Sequence, residues 1–316
     1  MAEKLKKATR ESFGMAITEL AEKNKNIVVL DADLAEATKT VIFKKQFPER
    51  FVDCGIAECN MIGIAAGMAT CGKIPFAASF AMFAAGRAFE QIRNSVGYPK
   101  LNVKIVGSHA GISVGEDGAT HQCCEDIALM RTIPGMVILN PADHYEMSAA
   151  VKAAAEHHGP VYIRLGRLAV ESFNDPDNGY KFELGKGITL HEGNDITVIA
   201  TGLMVSEALK AVNALAEEKI NVRLINIHTI KPLDKAIIVK AARETGKIIT
   251  VEEHNIIGGL GDAVSSVLCE EYPVPVIKIG VNDCYGHSGP AADLLKEFGL
   301  CAENIINIVK TALKHK

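Results

Sequence analysis

Short continuous apolar runs alternate with segments of helical periodicity along most of the chain. The runs at residues 27–30, 102–106, 136–139 and 161–165 suit strands covered on both faces. Between them, apolar residues recur at helical spacing over 9–22, 60–70, 83–96 and 144–156. Strand and helix in strict alternation predict βαβ units around a parallel sheet. Residues 173–187 break the pattern. They hold Asn174, Asp175, Pro176, Asp177, Asn178 and three glycines, the composition of a linker. A second alternation follows, with strands expected at 195–201, 221–227, 247–252 and 274–279. Its helices are expected at 206–217, 234–244, 261–268 and 303–313. The pattern therefore predicts two doubly wound α/β domains, one over residues 1–172 and one over 188–316, with the linker at 173–187.

A length of 316 residues is enough for two domains with real cores. Apolar residues make up 48% and charged residues 23%, the balance of an ordinary soluble protein. A net charge of −4 gives no electrostatic case for a nucleic-acid partner. No early apolar run reads as a signal peptide, and no stretch is long and apolar enough to span a bilayer. The expectation is a cytoplasmic chain with no membrane partner. The eight cysteines include no CxxC pair, and neither adjacent Cys123 and Cys124 nor Cys54 and Cys59, five apart, has zinc-site spacing. They read as reduced thiols, and no metal site is expected in this chain.

One segment stands outside the periodicity. Residues 107–122, GSHAGISVGEDGATHQ, follow an expected strand and place two histidines, two carboxylates and four glycines in sixteen residues. Such a loop buries little and is costly to order, so a polar ligand is a reason for it to exist. His109, Asp117 and His121 are its candidate contacts. Glu58 sits where a strand turns into an apolar helix, at the end of a parallel strand where ligands bind. It reads either as a helix N-terminal acid or as a carboxylate that holds a ligand nitrogen or moves a proton. Phe80 and Phe83 lie three apart in a chain only 5% aromatic, and they suit either the core or a flat heterocycle. Arg10 and Arg167 offer planar forks of donors for a phosphate, or surface ion pairs. A GxxxxGK[ST] phosphate loop and a GxSxG elbow are absent, and Gly258-Gly259-Leu260-Gly261 lacks the last glycine of a dinucleotide fingerprint.

Taken together, these segments resemble the C-terminal half of transketolase, a thiamine diphosphate enzyme, over essentially the whole chain. The resemblance runs through Ala8-Thr9-Arg10, Asp31-Ala32-Asp33-Leu34, Gly55-Ile56-Ala57-Glu58, the Phe80/Phe83 pair, the 107–122 loop and Arg164-Leu165-Gly166-Arg167. It implies a pyrimidine-binding domain followed by a transketolase C-terminal domain. It also implies that Glu58 hydrogen-bonds the cofactor's aminopyrimidine, which promotes loss of the thiazolium proton. Phe80 and Phe83 then flank the pyrimidine, and Asp33 supports the cofactor end. The family's third aromatic has no clear counterpart, and Ala77 is taken to stand there. Asp117 and His121 face the sugar, while Arg10, His109 and Arg167 hold its phosphate. Ala37 stands where the family often has a phosphate-binding serine.

The family's magnesium- and diphosphate-binding motif, Gly-Asp-Gly with a later Asn, is not found in this sequence. The resemblance therefore implies a split transketolase. A separate N-terminal subunit would carry Mg2+ and the diphosphate half, and copies of this chain would associate within an α2β2 assembly acting on sugar phosphates. Two relatives of the same fold compete, the β subunit of a 2-oxo-acid dehydrogenase component and a 1-deoxyxylulose-5-phosphate synthase fragment. The Gly-Glu-Asp-Gly-Ala-Thr-His run favours transketolase over the first. A non-catalytic binding subunit would be expected to lack Glu58 or the aromatics, and both are present.

Overall fold

The computed structural model describes residues 5–314, so the outermost residues of both expected domains lie outside it. Valine- and isoleucine-rich runs form the strands, as β-branched residues fit a surface packed on both sides. The first sheet has seven strands. In spatial order they are Thr229–Lys231, Val137–Leu139, Val161–Arg164, Lys104–Ser108, Ile74–Phe80, Ile27–Asp31 and Phe51–Asp53. All pair in parallel except the first two. One face packs against Thr9–Lys23 and His144–Glu156 through Phe13, Ile17, Met147 and Val151. The other buries Leu30, Met61, Ile62 and Ile105 against the helix Glu58–Thr70. Each such side chain contributes roughly 1.5–3 kcal/mol by leaving water.

The second sheet runs Val276–Val281, Ile248–Asn255, Ile196–Ala200, Val222–Asn226 and Ile188–His191, with only the last strand antiparallel. Helices Met204–Glu217, Lys235–Thr245, Leu260–Glu271 and Ala302–Lys314 pack around it. Both halves are thus α/β layers around mostly parallel sheets, as the hydrophobic pattern predicts. Among the described residues, no helix is long and apolar enough to cross a membrane.

Three of the departures from the sequence pattern concern the first sheet and its flanking helices. The central strand Ile74–Phe80 is absent from that pattern, because its sequence IPFAASF holds small residues and has a proline in second place. Its burial between two parallel neighbours decides its conformation instead. The segment expected as one helix over 83–96 consists of two π-helical stretches, Met82–Arg87 and Ile92–Gly97, joined by a short α-turn. Finally, Thr229–Lys231 comes from the second half of the chain and completes the edge of the first sheet. The chain ends of the first half are tied by a small antiparallel ladder, Lys6–Ala8 with Ala169–Glu171. The 173–187 segment is held by Asp143. Its Oδ1 caps the His144–Glu156 helix at Glu146 N (2.9 Å), and its Oδ2 accepts from Phe173 N (2.7 Å) and Asn174 N (2.8 Å).

Candidate active site

The carboxyl ends of the parallel strands in the first sheet collect most of the candidate residues along one edge. Ile27–Asp31 leads to Asp33, Phe51–Asp53 to Glu58, Ile74–Phe80 to Phe83, Lys104–Ser108 to His109, and Val161–Arg164 to Arg167. Open parallel sheets bind ligands at this edge. Arg10 reaches it from the first turn of Thr9–Lys23.

Glu58 opens its helix and is only 1% exposed. Its Oε2 accepts from Arg87 Nη1 at 2.7 Å, whereas Oε1 is buried without a partner. A carboxylate oxygen stripped of water and left unpaired costs on the order of 1–3 kcal/mol, a strain typical of a functional site. Beside it, the rings of Phe80 and Phe83 lie 6.0 Å apart and within 8° of parallel. His109 stacks on Phe80 at 4.0 Å, and His121 meets the edges of both phenylalanines at 6.1 and 5.3 Å. The Arg87 guanidinium lies 4.7 Å over the Phe83 ring. Arg87 carries no sequence signal of its own. It reaches Glu58 because the π-helical stretch Met82–Arg87 ends there.

His109 adopts a left-handed backbone (φ 55°), rare for a residue with a side chain. Its Nε2 lies 3.1 Å from Arg10 Nη1 and its Nδ1 lies 2.9 Å from Ser108 Oγ. A guanidinium can only donate, so Nε2 accepts and the proton sits on Nδ1. Burial, and then the nearby Arg10, Arg167 and Lys39, push His109 down to about 3, so the ring is neutral. Arg10 also donates to Ala37 O at 2.9 Å, and burial and Arg167 lower its own pKa. Arg167 donates to Val114 O and pairs with Glu116 Oε2 at 2.8 Å. Arg10, Arg167 and Lys39 therefore form a cationic rim around a neutral imidazole.

The remaining expected residues are more open. Asp117 is exposed at the end of the turn Ile112–Asp117, and His121 is half-buried with Nδ1 2.9 Å from Thr120 Oγ1. Asp33 is exposed with a left-handed backbone (φ 61°). The buried acid of that turn is Asp31, which accepts from Leu34 N, Thr38 Oγ1 and Thr40 Oγ1 at 2.6–2.9 Å. Ala77 does not stand beside the phenylalanine pair. Side chains alternate along Ile74–Phe80, and Ala77 points to the face opposite Phe80, into the core with Leu30 and Met61. A cleft of about 850 Å3, lined by Phe83, Arg87, Gln122, Asn255 and Tyr285, opens beside the site between the two halves.

A buried carboxyl oxygen without a partner, linked through Arg87 to one of two nearly parallel rings, suits a flat heterocycle that offers a nitrogen to an acid, as an aminopyrimidine does. The fold and this arrangement fit the class of thiamine-diphosphate-dependent enzymes. The chain belongs to the transketolase family: residues 6–172 match the transketolase pyrimidine binding domain and residues 185–305 the transketolase C-terminal domain. A Methanocaldococcus jannaschii protein described as a transketolase C-terminal section is 50% identical, over 98% of this chain and 97% of that protein. A 6-deoxy-6-sulfo-D-fructose transketolase subunit of a Clostridium species is 43% identical, over 97% of this chain and 95% of that subunit. Among solved structures, a split gene transketolase described as an inactive β4 tetramer superposes with a TM-score of 0.90. It shares 53% identity and covers 97% of this chain, and 98% of that chain is matched.

Proposed function

We propose that this chain is the C-terminal subunit of a split transketolase, moving a two-carbon ketol unit between ketose and aldose phosphates. Its domains divide at 1–172 and 188–316 around the 173–187 linker, and it works in the cytoplasm. The observation that carries this reading is Glu58 Oε1, buried and unpaired on a carboxyl group that Arg87 links to the Phe83 ring. Thiamine diphosphate, when bound, supplies the nucleophilic carbon and the electron sink of the reaction. This chain's residues bind and orient. Glu58 Oε1 holds the hydrogen bond to the pyrimidine ring nitrogen, Phe80 and Phe83 fix the ring plane, and Asp33 supports the cofactor end. Asp117 accepts from the donor hydroxyl next to the carbonyl, and His121 contacts further sugar oxygens. His109, Arg10 and Arg167 receive the phosphate. The neutral His109 ring is held between Ser108 and Arg10, and the two guanidiniums supply the charge.

A partner subunit carries the diphosphate half with Mg2+, and pairs of each chain form the working assembly. Support comes from relatives of matching length described as a C-terminal section and as a subunit, and from the inactive β4 tetramer. The test is an assay of ketol transfer with thiamine diphosphate and Mg2+, by this chain alone and with a partner subunit. The expected result is activity only in the complex, falling about 100-fold or more in Glu58→Ala. Full activity of this chain alone, or of the Glu58→Ala complex, overturns the reading.

A further inference from the structure

The loop at 107–122 is not self-supporting. The second half of the chain holds it at Ser113 through the backbone and at Gln122 through the side chain. Glu253, on the strand Ile248–Asn255, is 2% exposed, and its Oε1 accepts from Ser113 N at 2.7 Å. Gln122 Nε2 donates to His287 O at 3.0 Å and to Ile112 O at 3.2 Å, and Asn255 N donates to Cys124 O at 2.7 Å. Beneath the seam, Arg164 Nη2 donates to Glu253 O and its Nε to Asp126 Oδ2, both at 2.8 Å. Tyr162 OH reaches the same Asp126 oxygen at 2.8 Å. Two of the loop's glycines also face the second half. At Gly111 (φ 86°) a methyl group would overlap the Glu253 carboxyl, and at Gly118 (φ 75°) it would meet Ser288 Oγ. Between these anchors Glu116, Asp117, Ala119 and Thr120 stay exposed, and His121 faces the phenylalanine pair.

We propose that the second domain serves catalysis by clamping this loop, with Glu253 as the positioning residue that fixes its ligand-facing side chains. The inference rests on the reading of the loop as a sugar-binding wall. A carboxyl group buried at a domain seam is costly unless it is hydrogen-bonded. Here its partner is an amide of the loop, and Arg164 lies close enough to oppose the burial. The neighbouring Glu252, equally buried, turns the other way and accepts from Leu260 N (2.6 Å) and Gly261 N (2.8 Å) within its own domain. Two adjacent acids thus have separate tasks, and Glu252 is a matched control for Glu253.

The experiment measures amide hydrogen exchange over 112–122 in the full chain, and KM and kcat for a phosphorylated ketose in the reconstituted complex. In Glu253→Ala, exchange at Ser113 is expected to rise about 10-fold or more. KM should rise about 5-fold or more with kcat changed less. Glu253→Gln, which keeps a carbonyl acceptor for Ser113 N, should restore both. Glu252→Ala should lower thermal stability without loosening the loop. If Glu253→Ala does not fold, Gly118→Ala tests the same seam from the loop side, with the same expected rise in KM. Unchanged exchange and KM in the variant that folds, or equal loosening in Glu252→Ala, overturns the clamp. A wild-type complex without ketol transfer would overturn the proposed function, and the exchange measurement would still judge the clamp.

Discussion

His109 shows how single side chains are set for their tasks at this site. A histidine beside two arginines and a lysine, shielded from water, cannot keep a second proton. Its folded pKa of about 3 lies below the ordinary value of 6.5. Below pH 6.5 the unfolded chain takes up a proton that the folded chain refuses. The stabilising contribution is therefore complete above pH 6.5 and drains away as pH falls towards 3. Against His109→Gln, the wild type should lose about 2–3 kcal/mol of unfolding free energy between pH 6.5 and pH 4.5, read from urea titrations. Identical pH dependence in the two proteins would mean that the ring takes up its proton as readily in the fold as in the unfolded chain. His109, Glu58 and the phenylalanines were legible as candidates because their residue types are unusual in their local setting. Arg87 was not, since an arginine after an alanine-glycine pair has no local mark, and only the π-helical turn carries it to Glu58.

At the scale of elements, hydrophobic period gave the longer helices and most inner strands, but it passed over the edge strands Thr229–Lys231 and Ile188–His191 and the inner strand Ile74–Phe80, where small side chains carry no strong preference. Close packing decides there. The next strand brings Gly107 against the Tyr162 hydroxyl, so that a methyl group at 107 would overlap it. Gly107→Ala should displace Tyr162 from Asp126 and cost about 1–3 kcal/mol. Adding Tyr162→Phe should recover part of that loss by removing the obstructing oxygen, a coupling that a double-mutant cycle measures. Strictly additive losses would show that the two residues do not press on each other.

Across the whole molecule, Glu146 joins three parts of the chain. It is fully buried and accepts from Ala142 N (2.7 Å), Tyr180 OH (2.8 Å) in the 173–187 segment, and Asn226 Nδ2 (2.8 Å) in the second sheet. Burial outweighs these donors and pushes its pKa up to about 8. An acid raised in this way favours the fold fully below pH 4.5, and that contribution is lost as pH climbs towards 8. Wild-type stability should therefore fall across pH 4.5–8 relative to Glu146→Gln, whose amide does not titrate. Parallel stability curves for the two proteins in denaturant titrations would refute this linkage.

The sequence by itself determined the alternation of strands and helices and the residue types gathered at strand ends. These are local properties, fixed by period, turn chemistry and composition within a few residues. The tertiary structure alone decided the pairings of Glu58 with Arg87, of Ser113 with Glu253, and of Thr229–Lys231 with the first sheet. Their partners are 29, 140 and some 90 residues apart in the chain. No periodic pattern spans such a separation. Contact at that range follows from the path of the whole chain, which packing selects.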